Sequence, residues 1–501
     1  MNQKVKISAN GKSVLVDFGT LLSDALFIEK PCGGRGACGK CKVVARGALS
    51  EMSASERERL TEREMLDGVR LACMTAVLGD CEVFLRKGEE DGKIVSDGHF
   101  PPFSPAPIFS RYGVAIDIGT TTLVARLFDQ AGEMLTEASS LNPQAEFGAD
   151  VISRVEAALA GKSEMLAKAI QTAIDQLLRS LARQARIDAK EIDGLVITGN
   201  TVMLSLLTKE NVTSFSCAPF ALGRTFGEEL VAAQLSLSSV RATAKIYLPP
   251  CISAFVGADM TCAILSTRLC EKATAMVADI GTNGEMALWH KGRLTVCSTA
   301  AGPAFEGVGI SMGMRAAAGA IDKIELVGGE LLAHVIGGGS PRGICGSGLV
   351  DAAATMLLRG DLDESGDMEE SPTVIAAPVS VSAEDIRALQ LAKSAICAGM
   401  LTLMETEAAN ASELDALYVA GGFGHFLNVR NAARIGLFPS ALAKKASAVG
   451  NAALAGATLL LLSADERQRA EEIASKAIHL PLATNPIFSR HYLEGMSFGE
   501  R

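Results

Sequence analysis

The sequence predicts an α/β protein of several domains on three observations: its length of 501 residues, a glycine-spaced cysteine loop near its start, and a strand-turn-strand phrase that occurs twice. Single cores stop growing beyond about 250–300 residues, so two or three domains are expected. The divisions fall at 1–87, 88–112, 113–270 and 271–501. At 48% apolar and 21% charged residues the composition suits ordinary buried cores. The formal net charge of −10 is spread along the chain. That argues against nucleic acid as a partner, because phosphate binding needs a basic face. The opening "MNQKVKISANGKSVLVDFG" alternates polar and apolar residues and lacks the apolar core of a signal peptide. The longest apolar run, "AALAGATLLLLSA" at 452–464, is too short to span a bilayer and reads as a buried helix. A cytoplasmic protein with no membrane partner is therefore expected. In that compartment twelve cysteines do not suggest a disulfide framework, and a cluster of them points to metal.

That cluster is "PCGGRGACGKC" at 31–41. Cys32, Cys38 and Cys41 are spaced C-x5-C-x2-C, and Cys73 follows in "VRLACMT" after a charge-rich stretch. Three thiolates from one tight loop and a fourth from a distant segment form the ligand set of a [2Fe-2S] cluster. Glycines at 33, 34, 36 and 39 suit a loop that needs unusual backbone angles and lets N–H groups approach the sulfurs. Zinc is the competing metal, although structural zinc usually takes two close pairs and Cys73 has no cysteine two positions away. Cys81 reads as a buried strand residue. "KVKISA" and "KSVLVDF" read as a hairpin across Asn10-Gly11, and "TLLSDALFIE" as a helix ahead of the loop. This order resembles the ferredoxin β-grasp fold, and the spacing, one residue longer than the plant-type pattern, is similar to its adrenodoxin-like branch.

From Gly88 to Tyr112 the chain carries four prolines within Pro101 to Pro107. Such a stretch is extended and partly stiff, either a plain boundary or a swinging arm for the first domain. Beyond it come "VAIDIGTTTLVARLFD" from 114 and "MVADIGTNGEMALWHKG" from 276. In each, an apolar strand runs into Asp-Ile-Gly-Thr and then a second apolar strand, a hairpin with a Gly-Thr turn. "GLVITGNTVM" at 194–203 and "ALYVAGGFGH" at 416–425 are apolar strands that end in small residues before a helix. The repetition implies two copies of one α/β unit.

Duplicated hairpins of this type resemble the acetate and sugar kinase, Hsp70 and actin superfamily. The resemblance implies that glycine lets the backbone close on phosphate, that N–H groups and Thr hydroxyls donate to it, and that Asp holds Mg²⁺ or its water. One jaw would be Asp117, Gly119, Thr120, Thr121 and Thr122, the other Asp279, Gly281, Thr282, Asn283 and Gly284. Gly421 and Gly422 of "VAGGFG" would form the adenosine motif, with a helix starting close by. "GICGSG" at 343–348 offers N–H groups at a helix start, making Gly346, Ser347 and Gly348 secondary anion contacts.

Further phrases narrow the resemblance. "LNPQAEFGADVISRV" from 141, "LPPCISAFVGADMTCAIL" from 248, "AGPAFEGVGISMGMRAAAGAI" from 301, "GICGSGLVD" and "ALYVAGGFGHFLNVRNAARIGLFP" resemble the reductive activators of corrinoid-dependent enzymes over essentially the whole chain. The resemblance implies an N-terminal [2Fe-2S] domain, a linker and an ATPase with bound ATP and Mg²⁺. It also implies one-electron transfer from the cluster to the Co(II) corrinoid of a partner protein in a methyltransferase system, restoring Co(I). Plant-type clusters lie near about −400 mV, and the cobalt couple is expected lower, so the electron climbs at about 2.3 kcal/mol per 100 mV. Asp117 and Asp279 would position Mg²⁺ and the attacking water. A ferredoxin or flavodoxin would reduce the cluster, and the relatives suggest a homodimer.

Glu285 and Glu306 read either as solvated turn residues or as helpers in water activation. Trp289, His290, Met312 and Met314 read as packing or lining groups. Cys217, Cys251, Cys262, Cys270, Cys297, Cys345 and Cys397 are scattered singly, as buried cysteines are, without the spacing of a second cluster. Three rival functions stand beside this one. One is a small-metabolite kinase with a fused ferredoxin redox sensor, which needs an acceptor pocket with a general base. Another is a non-hydrolysing Hsp70-like nucleotide switch. The third is an activator like those of 2-hydroxyacyl-CoA dehydratases, which lack an N-terminal ferredoxin domain.

Overall fold

A computed structural model describes residues 4–9, 12–26, 36, 41–84, 101–218, 220–327, 329–423 and 427–500. The chain forms two compact units, residues 1–91 with 142–170, and residues 92–141 with 171–501.

In the first unit, β1 (Lys4–Ala9) and β2 (Lys12–Asp17) form the expected antiparallel hairpin, with Ile7 opposite Val14. β3 (Lys42–Leu49), β4 (Val69–Leu71) and β5 (Val77–Phe84) complete a sheet of order β2-β1-β5-β3-β4. β1 and β5 run parallel at its centre. This is the β-grasp order, in which the first and last strands pair. Val5, Ile7, Leu22, Val43, Leu71, Val77 and Val83 fill the core, and Cys81 is buried on β5 as expected. The helix after the hairpin covers only Leu22–Ala25 of the expected stretch, and residues 27–30 lie outside the described ones.

A buried carboxylate fixes the segment that carries Cys73. Glu56 accepts from Arg70 Nε at 3.0 Å and Nη2 at 3.1 Å, from Leu71 N at 3.1 Å and from Thr75 Oγ1 at 3.1 Å. Burial by itself would raise the Glu56 pKa, yet the bonds from Arg70, Ser53 N and Leu71 N outweigh it and hold the group below its ordinary 4.5.

In the second unit the expected duplication is present as two six-stranded sheets. The first has order β10-β11-β9-β6-β7-β8. Its strands are β6 (Tyr112–Ile118), β7 (Thr122–Asp129), β8 (Met134–Leu141), β9 (Ile192–Gly199), β10 (Glu228–Val231) and β11 (Lys245–Leu248). The second contains β12 (Thr274–Ile280), β13 (Gly284–His290) and β14 (Arg293–Thr299). A three-stranded sheet of β15 (Ala320–Val327), β16 (Glu330–Val335) and β17 (Gly343–Ile344) and a hairpin of β18 (Thr373–Ala376) and β19 (Val379–Val381) follow. With β20 (Ala416–Ala420), β21 (Ala446–Gly450) and β22 (Ile478–His479), the second large sheet has order β21-β20-β12-β13-β14-β22. In each copy a three-strand antiparallel meander is flanked on its first strand by a parallel strand, β9 on β6 and β20 on β12.

Gly199 and Asn200 lead straight into the Thr201–Leu207 helix. After Gly421-Gly422, residues 424–426 lie outside the described ones, and Asn428 caps a helix over Val429–Arg434. The 24-residue helix Ala383–Thr406 is long and apolar enough to cross a membrane, but 78% of its apolar window is buried in the protein. It is a core helix packed under β13 and β14. The apolar run at 452–464 is the fully buried helix Ala452–Leu462. It crosses the Ala258–Ser266 helix at Gly456, where a Cβ would lie 2.2 Å from Cys262 O. Glycine allows that close approach, and the two helices together join the sheets.

Part of the proline-rich stretch is anchored. Ala106 N donates to Leu462 O at 2.7 Å and Ile108 N to Leu461 O at 3.1 Å. Phe109 is buried in a slot where a Cβ on Gly113 would lie 2.3 Å from its ring. A swinging-arm reading therefore cannot include residues 106–109.

Glu56→Ala should destabilise the first unit by about 3–5 kcal/mol, since it leaves the Arg70 guanidinium buried without its partner, measured as a lower urea midpoint of the full chain. The Glu56 contribution is complete above the unfolded carboxylate pKa. It should fade as pH falls through the lower folded value, so parent and variant midpoints converge in acid.

Candidate functional site

The turns of both Asp-Ile-Gly-Thr hairpins open on one cavity of about 300 Å³ in the second unit. Each turn is closed by its own backbone, Gly119 N donating to Thr122 O at 2.9 Å and Gly281 N to Asn283 O at 3.0 Å. Asp117, Gly119, Thr120, Thr121, Thr122, Asp279, Gly281, Thr282, Asn283, Gly346, Ser347, Gly421 and Gly422 all line the cavity. Gly284 and Gly348 do not. A Cβ on Gly284 would lie 2.1 Å from Ile396 Cδ1, and one on Gly348 2.2 Å from Ile321 O, so these glycines serve close packing behind the site. Gly421, at φ +93°, brings the end of β20 so near β12 that a Cβ would lie 2.8 Å from Asp279 Oδ1. Gly346 opens the Gly346–Arg359 helix, and its N-cap Cys345 faces the same space.

The structure adds residues that motif reading missed. Asp259, on the first turn of the Ala258–Ser266 helix, joins Asp117, Asp279 and Glu285 around the cavity. Asn451 caps the Ala452–Leu462 helix and donates Nδ2 to Asp117 Oδ2 at 2.9 Å. Asn200 caps the Thr201–Leu207 helix, with Nδ2 3.4 Å from Thr120 Oγ1. A sequence signal for both caps exists, the Gly-Asn pairs at 199–200 and 450–451, each ending a strand before a helix. Glu306 is not a solvated turn residue: it accepts from Thr121 Oγ1 at 2.5 Å and from Thr282 Oγ1 at 2.5 Å. Glu285 is likewise buried, on β13. Phe305 stacks on Phe423 with ring centroids 4.5 Å apart.

The cavity concentrates like charge. Burial raises Asp117 to about 6, tempered by the Asn451 bond. Burial and then the Asp117 charge raise Asp279 to about 7. Burial, with Asp279 and Asp117 adding repulsion, raises Asp259 to about 8, and burial with repulsion from Asp259, Asp279 and Asp117 pushes Glu285 well up. Arg315 is the cation among the lining residues, and it has no ion pair among the described residues. Among those residues no three His, Cys, Asp or Glu side chains stand close enough to hold a metal by themselves. The arrangement of N–H groups, hydroxyls and acids can thus hold a phosphate chain and its cation.

In the first unit, Cys41 precedes β3 and Cys73 follows β4. Lys42 pairs with Leu71, and Ala72 N donates to Cys41 O at 2.9 Å. This register brings the two buried Sγ atoms within 3.3 Å. Gly36 adopts φ +69°, and a Cβ there would lie 2.9 Å from Met74 Sδ. Cys32 and Cys38 lie outside the described residues. The described half of the donor set therefore fits a thiolate-held cluster. Elsewhere His290 packs with Nδ1 3.0 Å from Thr274 Oγ1, and Trp289 Nε1 donates to Lys272 O at 3.0 Å. Met314 lines the cavity, while Met312 Sδ accepts from Ser380 N at 3.4 Å. Cys217, expected to be buried, is exposed.

The family model described as the RACo middle region matches residues 112–272. The one described as the C-terminal domain of RACo, the ASKHA domain, matches residues 273–501. The corrinoid activation enzyme RamQ of Eubacterium limosum is 34% identical over 453 residues, 84% of this chain and 76% of that protein. A Co(II) methylated amine-specific corrinoid protein reductase of Methanosarcina barkeri is 28% identical over 421 residues, 77% of each chain. A solved structure described as a reductive activator for corrinoid, iron-sulfur protein matches with a TM-score of 0.74 at 26% identity, covering 99% of this chain and 98% of that one. With its duplicated phosphate-type hairpins and its β-grasp unit, the chain belongs to the family of reductive activators of corrinoid-dependent enzymes.

Proposed function

We propose that the chain uses ATP to drive an electron from a [2Fe-2S] cluster onto the Co(II) corrinoid of a partner protein, returning it to Co(I). The observation that carries this reading is the convergence of both Asp-Ile-Gly-Thr turns, their acids and Arg315 on one cavity. The relatives named for corrinoid activation and for corrinoid protein reduction agree with it. Cys32, Cys38, Cys41 and Cys73 are the cluster ligands, and the cluster supplies a one-electron donor when bound.

The residues of the cavity divide the work on ATP. Thr120, Thr121, Thr122, Thr282 and Asn283 hold the phosphate oxygens, on turns that Gly119 and Gly281 close. Gly346 and Ser347 add the N-terminus of a 14-residue helix, where anions are favoured. Asp117, oriented by Asn451, and Asp279 position Mg²⁺ and the attacking water. Gly421 and Gly422 leave room for the adenosine. The partner is a corrinoid protein of a methyltransferase system, the electron donor a ferredoxin or flavodoxin, and the working form a cytoplasmic homodimer. The proposed boundaries remain 1–87, 88–112, 113–270 and 271–501.

The reading is tested anaerobically with a Co(II) corrinoid protein, a strong reductant and MgATP. The cobalt absorbance should move to the Co(I) form only with ATP. Asp279→Ala should remove that dependence while leaving the cluster spectrum intact; a variant as active as the parent would overturn the assignment of Asp279.

The raised acids set a pH dependence. Their folded pKa values of about 6, 7 and 8 lie above the ordinary 3.8, so the stability they allow is complete below that value and lost as pH rises through the folded ones. Without divalent cation, the melting temperature of the second unit should fall between pH 6 and pH 8. MgATP should restore more stability at pH 8 than at pH 6; an equal gain at both would show that the cation does not meet these acids.

A further inference from the structure

Glu306 ties the two phosphate jaws together. Its carboxylate takes the hydroxyl of Thr121, 185 positions away in the chain, with one oxygen and that of Thr282 with the other, each at 2.5 Å. A hydroxyl has one proton to donate. Each threonine can therefore serve the carboxylate or a phosphate oxygen, but not both at once. Two anions sharing the same pair of donors would also repel each other strongly in a half-buried site. A phosphate placed between the turns must consequently take the position that Glu306 now satisfies.

The surroundings permit that exchange. Glu306 ends the short turn Pro303–Glu306, bracketed by Gly302 at φ +78° and Gly307 at φ +73°. A Cβ on Gly281 would still be 3.8 Å from Glu306 Oε1, so this flank of the carboxylate is not tightly packed. The neighbouring Phe305 is held in place by its stack on Phe423, one residue beyond Gly421-Gly422. The backbone of the turn is thus anchored while the Glu306 side chain has space to withdraw.

We propose that Glu306 is a phosphate mimic which bridges Thr121 and Thr282 and is displaced by the terminal phosphate of ATP, so that it opposes triphosphate binding more than diphosphate binding. The inference rests on the nucleotide reading above. It follows from the span of the bridge: an anion reaching both turns must break it, and a shorter phosphate chain held by one turn need not.

Isothermal titration of the full chain with MgATP and with MgADP tests it. Glu306→Ala should bind MgATP about tenfold more tightly than the parent, with MgADP affinity changed by less than about twofold. Glu306→Gln, which preserves the side-chain shape without the charge, should shift MgATP affinity in the same direction by about threefold. Weaker MgATP binding in both variants, or equal changes for the two nucleotides, overturns the displacement and marks Glu306 as a structural or cation-holding group. A parent chain that binds neither nucleotide overturns the nucleotide reading itself, and the inference with it.

Discussion

Burial of carboxylates in one cavity, sharpened by repulsion among them, is the constraint on which the second unit depends. Asp117 and Asp279 end equivalent strands, Glu285 faces Asp279 across the β12–β13 ladder, and Asp259 enters from a helix. A chain gains nothing in stability by gathering such groups without a cation, since each is pushed towards its neutral form. Sites that bring titratable groups together at this cost are characteristically functional.

The duplicated sheets make that gathering possible. Each meander delivers a strand end and a tight turn to the cleft, and beside them β9 leads into a helix capped by Asn200 while β20 ends at Gly421-Gly422. The two buried helices that cross at Gly456 carry Asp259 and Asn451 at their N-termini, one acid and one amide aimed at the same space. Their close crossing rigidly links two groups that come from opposite copies of the repeat. Glu306 supplies a second link, through hydroxyls rather than packing, and this one is reversible because a phosphate can compete for the same donors.

The first unit solves a different problem with the same economy. Its cysteines arise 32 positions apart and are brought together by the pairing of β3 with β4. β4 is only three residues long and cannot hold its register by ladder bonds alone. Glu56 compensates by binding Arg70, Leu71 and Thr75 from the segment that contains Cys73, so a buried ion pair here secures position as well as stability.

Local pattern was enough to reveal the β-grasp hairpin, the two Asp-Ile-Gly-Thr turns, the buried 452–462 helix and the helix start at Gly346, because each depends on alternation, turn chemistry or apolar length within a few neighbours. Sequence could not show that Gly284 and Gly348 also leave room for Ile396 and Ile321. It also left Asp259 and Asn451 unassigned, and Glu306 open between a solvated turn residue and a helper in water activation. The partners of Glu306 and Asn451 lie 24 to 334 positions distant, and an acid beside a glycine reads alike whether it meets water or two threonines. Sequence by itself determined which strands and turns could form and which chemistry they could offer. Only tertiary structure decided which acids share one cavity, because burial and repulsion exist between groups that the fold, not the chain order, makes neighbours.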